Sequence, residues 1–328
     1  MFLYSNNTAA EQKSQVDKAE ILVDKSATGR ERPWREKKMA NQLLALAYDK
    51  VNEKKASRLR ECGTFLAFNL REDGTKKLTH MNSCRVRLCP LCAWRRSLKV
   101  HAHTVQILDA MQGEYAYVFL TLTVRNCAGN QLASELDKLM AAWQRLTQRK
   151  AFRVAVKGWY RGLEVTHNVN PLSASYDTFH PHFHCLLAVN KSYFTSRDYL
   201  SQPKWRALWR KAARLNYDPQ VDVRRVKADK VDGVCAEVAK YAVKVSDVIC
   251  FDDWDLTVDT VATLDKALDK RRFISFGGVF KEIHKQLNLD DVEQGDLVHE
   301  NDSELPDVSK DTVLYAWNTG YNQYVRSK

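Results

Sequence analysis

The stretch His180-Pro181-His182-Phe183-His184-Cys185-Leu186-Leu187-Ala188-Val189 decides how the fold is read. Three histidines in five residues run into an apolar segment of strand formers. On a β-strand, residues i and i+2 point to one face. His182 and His184 then present two imidazoles side by side, while Phe183 points into a core. That pattern offers two nitrogen donors to one metal ion. A second His-x-His, His101-Ala102-His103, lies in a stretch of helical periodicity. On a helix, i and i+2 stand ~200° apart and cannot share an ion. These two are expected to be surface or packing residues.

Strands are expected on either side of this stretch. Residues 115–124 and 158–166 have strand length and composition, and shorter strands are expected at 221–226 and 273–276. The 158–166 segment carries Glu164, an acid that completes a set of two histidines and one carboxylate. His180 and a water are the alternatives for that third position. Apolar spacing predicts helices after Pro33-Trp34, over 94–111, 132–151, 204–215 and 234–249, and after Gly277-Gly278. The expected fold class is α+β.

The net charge is +11, and it is uneven. Residues 289–311 hold nine acids and one base, so the remainder carries +19. A basic body suits a polyanionic partner, most simply nucleic acid. Mean hydropathy is −0.47. No apolar run reaches the ~18 residues of a membrane span, and the first residues lack the apolar core of a secretory signal. The expected location is the cytoplasm, where disulfides are disfavoured.

Clustered cysteines then point to metal. Cys89-Pro90-Leu91-Cys92 is a zinc knuckle in form, with two thiolates on one tight turn. Cys84 supplies a third ligand. Cys62 is favoured for the fourth, with His80 as the alternative. Four protein ligands leave no open position, so this site reads as structural.

The 234–249 segment is the other informative stretch. On a helix, Glu237, Tyr241 and Lys244 stand at i, i+4 and i+7 on one face. A carboxylate, a phenol and an ammonium would then lie in a row. Basic residues gather in the Cys-rich region and over 204–230.

Together these stretches resemble the HUH endonucleases, and more narrowly the rolling-circle replication initiators (Rep) of small Gram-positive plasmids. Phe119-Leu120-Thr121-Leu122-Thr123 matches the first motif. His180-Pro181-His182-Phe183-His184 matches the paired-histidine motif. Glu237-Val238-Ala239-Lys240-Tyr241-Ala242-Val243-Lys244 matches the Tyr-x-x-Lys motif. The Cys84–Arg96 knuckle resembles the cysteine segment before the nuclease region.

The resemblance implies an HUH fold, in which a central antiparallel β-sheet carries Thr121, Glu164 and the two histidines with helices on one side, preceded by an N-terminal helical and zinc-binding region. It implies a zinc region over 31–112 and a nickase/ligase domain over 113–288, while composition and charge give a flexible segment over 1–30 and an acidic tail over 289–328. It also implies a site- and strand-specific nickase using Mn²⁺ or Mg²⁺ on His182, His184 and Glu164. Structural Zn²⁺ would sit on Cys62, Cys84, Cys89 and Cys92. Tyr241 would be the nucleophile, Glu237 the base that activates water at termination, and Lys244 a charge stabiliser. Plasmid origin DNA is the implied partner, as single-stranded nick site and flanking duplex. Arg85, Arg87, Arg95, Arg96, Arg206, Arg210, Arg224 and Arg225 are the candidate DNA contacts. A host helicase, a polymerase and a second copy of the chain are further expected partners, and no membrane is. Competing readings are a non-catalytic zinc-containing regulator, a related HUH transposase or relaxase, and a non-haem iron oxygenase. The oxygenase would leave the basic charge and the knuckle unexplained.

Overall fold

The structure, a computed structural model, describes residues 20–26, 28–111, 113–227, 233–235, 239, 243–299 and 311–327. Glu237 and Tyr241 lie outside the described residues. So do residues 1–19 of the expected flexible segment.

The chain is α+β, built on two antiparallel sheets. Helix α1 (Trp34–Val51) buries Trp34, Lys38, Asn41, Ala45 and Tyr48, one every three or four residues. That spacing makes a single stripe. Helix α2 (Glu53–Glu61) starts where the Asn52 side chain accepts from the Lys55 amide at 3.1 Å. Strands β1 (Phe65–Leu70) and β2 (Lys76–Met81) form a hairpin. Helix α3 (Pro90–Ala110) opens with Pro90, whose missing N–H costs nothing in a first turn.

The second sheet comes next. It contains β3 (Tyr115–Thr123), β4 (Val156–Asn168), β5 (Thr178–Asn190), β6 (Val221–Val226) and β7 (Ile274–Gly278), in the order β6-β3-β5-β4-β7. Helices α4 (Leu132–Thr147), α5 (Lys150–Ala155), α6 (Gln202–Ala213), α7 (Trp254–Ala267) and α8 (Val279–Gln286) connect or follow these strands. The chain ends in β8 (Thr312–Asn318) and β9 (Gln323–Arg326). These complete the first sheet, in the order β2-β1-β8-β9. The segment read as an acidic tail thus supplies two strands to this sheet, β8 beside β1 and β9 beside β8. Its aromatic residues explain why: Tyr315 and Tyr324 are buried, and Tyr315 and Tyr324 meet Phe68 and Trp34 edge-on.

Two expectations need correcting. Helices cover both faces of the second sheet, not one. On one face, Phe183 packs against Trp143 of α4 and Trp209 of α6. On the face that carries the histidines, the apolar residues continue away from them, through Leu186 and Tyr160 to Phe276. These must also be kept from water, and α8 covers that end, with His284 against Phe276. The second correction concerns residues 234–249. Residues 233–235 are helical, but Lys244 is extended (φ −84°, ψ 151°) and a 3₁₀ turn follows at Val245–Asp247. The β-branched Val243, Val245 and Val248 favour this break over a continuous helix. Lys244 itself is therefore not on a helix.

Candidate functional site

Strand register builds the site. Glu164 of β4 pairs across from His182 of β5, and Thr121 of β3 pairs across from His184. Directly paired residues point to the same side of a sheet, so all four side chains share one face. His184 Nε2 lies 3.0 Å from Glu164 Oε2, and His182 Nε2 lies 3.5 Å from the same oxygen. The two Nε2 atoms are 3.2 Å apart. Neighbouring vertices of an octahedron stand ~3.0 Å apart when metal–ligand bonds are ~2.1 Å long. The three atoms therefore fit one face of a six-coordinate ion, and no further ligand joins them among the described residues.

The ring orientations agree with that use. His182 Nδ1–H donates to the His180 carbonyl at 3.0 Å, and His184 Nδ1 meets Thr121 Oγ1 at 3.2 Å. Both Nδ1 atoms are occupied, which leaves both Nε2 atoms aimed at Glu164. The His180 ring stacks on His182 and its carbonyl orients that ring. Glu164 and His182 are buried. Burial alone would raise the Glu164 carboxyl. Its bonds to His182, His184 and Lys244 outweigh that and hold it well below the usual carboxylate range. Lys244 Nζ reaches Glu164 Oε1 at 2.9 Å.

The cysteines form a second cluster. Cys62, Cys84, Cys89 and Cys92 converge. Cys62 Sγ lies 3.6 Å from Cys89 Sγ and 3.5 Å from Cys92 Sγ, and Cys84 Sγ lies 3.8 Å from Cys92 Sγ. A tetrahedral ion with ~2.3 Å metal–sulfur bonds needs edges of ~3.8 Å. His80 is not in the cluster. Amides of Cys84, Arg85 and Val86 and the Asn41 side chain donate to the sulfurs at 3.2–3.4 Å. Such donors stabilise thiolates.

Sequence reasoning missed Lys38 here. It is fully buried and donates to the carbonyls of Arg60 and Cys62 at 2.8 and 2.6 Å. Its positive charge offsets the thiolates. The signal was present: Lys38 sits on the buried stripe of α1, where a cation needs a partner.

The candidate DNA contacts scatter. Arg95 is buried and donates to the carbonyls of Leu297 and Val298. Arg87 pairs with Glu293 at 3.0 Å, and Arg85 donates to the Gln294 carbonyl. These three therefore hold the 293–298 segment of their own chain. Arg206 and Arg210 lie on α6, whose Trp209 packs behind Phe183, away from the histidines. Arg210 pairs with Asp218. Arg224 and Arg225 point to opposite faces of β6. Arg224 pairs in register with Phe119, which stacks on His184, whereas Arg225 lies over Phe194. Phe119, Thr121, His184, Asp222 and Arg224 line a groove of about 670 Å³ beside the centre. No helix among the described residues is long and apolar enough to cross a membrane.

Fold and site define a two-sheet α+β protein with a four-cysteine cluster and a His–His–Glu centre. The family described as "Replication protein" matches residues 75–325, and the chain belongs to it. It is 40% identical to "Protein rep" of Bacillus amyloliquefaciens, over 93% of this chain and 97% of that one. It is 37% identical to "Protein rep" of Streptococcus pneumoniae serotype 2 (strain D39 / NCTC 7466), over 94% and 96%. A "Replication protein" of Staphylococcus aureus is 35% identical over 63% of this chain. No solved structure matches the chain.

Proposed function

We propose that this chain initiates rolling-circle replication of a plasmid by nicking one strand of the origin. The observation that carries the reading is the His182–His184–Glu164 triangle, whose three atoms suit one face of an octahedral ion. His182, His184 and Glu164 would hold Mn²⁺ or Mg²⁺, which would supply Lewis acidity at the scissile phosphate. Zn²⁺ is the natural occupant of the four-cysteine cluster.

In the reaction, the phenol oxygen of Tyr241 bonds to phosphorus and its proton passes to a base. The P–O3′ bond breaks, and the departing oxygen takes up a proton to give the 3′-hydroxyl that primes synthesis. A 5′-phosphotyrosyl link remains. A phenol, with a pKa of ~10, is also a good leaving group for resealing. Glu237 would activate water at termination, so that hydrolysis releases the enzyme. Origin duplex, a host helicase and polymerase, and a second copy of the chain complete the proposed assembly. Residues 31–112 would be the zinc-binding region and 113–288 the nickase domain.

The test is cleavage of an origin oligonucleotide with Mn²⁺. Wild type should give a covalent protein–DNA adduct and Tyr241→Phe none. An adduct with Tyr241→Phe rules out that nucleophile. Absence of metal-dependent nicking by wild type on any cognate strand leaves the zinc-containing regulator. Glu237→Ala should nick but release poorly; full loss of nicking would assign it another role.

A further inference from the structure

A cavity of about 360 Å³ lies between the four-cysteine knuckle and the segment that brings Lys244 to Glu164. That volume falls at the small end of ligand pockets, ~300–1,000 Å³. Its walls are Leu88, Pro90, Leu268, Phe273 and Ile274, and Lys37, Arg87, Arg96 and Lys244 enter it. No carboxylate is among the described lining residues. The nearby Glu293 is already bound to Arg87 and to the amides of Phe273 and Ile274.

Of these four cations, Arg96 is the buried one. It is 8% exposed, and its Nε makes no hydrogen bond. A buried donor left without a partner is costly. An anion in the cavity would supply an acceptor, while Arg87 and Lys244 keep their carboxylate partners, Glu293 and Glu164.

We infer that this cavity is a phosphate subsite for the single strand, in which Arg96, with Lys37 and Lys244 beside it, holds a backbone phosphate next to the one at the His–His–Glu centre. The inference rests on the nicking reading for its ligand. Lys244 joins the two places, because it lines the cavity and pairs with Glu164. The apolar walls suit the sugar and base that accompany a phosphate. A free phosphate or mononucleotide shares the chemistry and is a separate outcome. So is a purely internal role, since Cys92 lies one turn back on α3 and its charge favours the charged form of Arg96.

The experiment measures binding of a short single-stranded oligonucleotide across a salt series, with zinc content determined on the same samples. Each phosphate contact adds about 0.7 to the slope of log K against log salt on a single strand. Arg96→Met should flatten the slope by about 0.7 and keep its zinc, and Arg96→Lys should restore the slope. An unchanged slope overturns the inference. Loss of zinc in Arg96→Met also overturns it and makes Arg96 a counter-charge to the thiolates. Stabilisation of wild type by inorganic phosphate or a mononucleotide, with an unchanged oligonucleotide slope in Arg96→Met, assigns the cavity to a free anion and overturns it too. If Arg96→Met does not fold, Lys37→Met decides by the same slope. Nicking is assayed in parallel. A flattened slope without wild-type nicking leaves the subsite and sinks the nickase reading, while normal nicking with an unchanged slope does the reverse.

Discussion

Lys244 Nζ sits 2.9 Å from Glu164 Oε1, while Oε2 of the same carboxylate faces both histidine nitrogens. One oxygen is thus neutralised by a fixed cation and the other is aimed at the ion position. On the nicking proposal, Lys244 would temper the carboxylate as a ligand and bring positive charge to the phosphate. Replacing it with Met, which keeps the stem, should leave Mn²⁺ affinity equal or higher and slow nicking by about 100-fold. Calorimetric titration and single-turnover cleavage measure the two effects. A parallel loss of affinity would mean that Lys244 mainly positions Glu164.

The hydroxyl of Thr121 meets His184 Nδ1 from the neighbouring strand. Thr121→Val removes that hydroxyl at nearly constant shape. The ring of His184 then loses the partner that fixes its tautomer. Mn²⁺ affinity should fall about 10- to 100-fold, and the zinc content of the cysteine cluster should not change. Affinity within twofold of wild type would show that Phe119, stacked on the same ring, orients it alone.

Acid should loosen the segment over 290–299 before it unfolds the sheets. Burial alone would raise Asp291 and Asp296, but hydrogen bonds outweigh it and hold both carboxyls below their usual range. Asp291 accepts from the amides of Glu293 and Gln294 and pairs with Arg272. Asp296 accepts from the amides of Val298 and His299 and from the His299 ring. A lowered folded-state pKa contributes stability that is fully present above the ordinary aspartate value of ~3.9 and is lost as pH falls through the lowered value. Amide exchange over 290–299 should be flat from neutral pH to about pH 5 and rise steeply below about pH 4 relative to α3. Equal acceleration in α3 would show that the segment opens only with the whole protein.

The strands were the most legible part of the sequence. Alternation fixes which face a strand residue takes, so His182, His184 and Glu164 could be placed together before any coordinates. The knuckle was legible because Cys89 and Cys92 must share a turn. What failed depended on distant partners. Lys244 reads as helical by spacing, yet it is extended and ion-paired to a residue 80 positions earlier. For Arg87 and Arg95, read as candidate DNA contacts, nothing in the sequence pointed to the partners near position 295. The strand Thr312–Asn318 follows an acidic run and pairs with β1, which no local signal announces. Helix α7 escaped notice because Thr257, Val258, Thr260, Val261 and Thr263 are β-branched and read poorly as helix, although Asp253 caps its first turn.

Gly278 tests whether the edge of the second sheet is independent of its centre. Its φ is +56°, in the region that favours glycine, and a Cβ there would lie 2.2 Å from the Lys157 carbonyl oxygen. Both features follow from β7 turning directly into α8 against β4. Gly278→Ala should therefore cost about 3 kcal/mol of stability, read from urea unfolding. Glu164 takes its register from β5 on the other side of β4, and β7 pairs with β4 only as far as Gly162. The folded fraction should then bind Mn²⁺ with unchanged affinity. A loss of affinity in the folded variant would show that the edge strand sets the position of Glu164. A cost below about 1 kcal/mol would show that the turn relaxes around the added methyl.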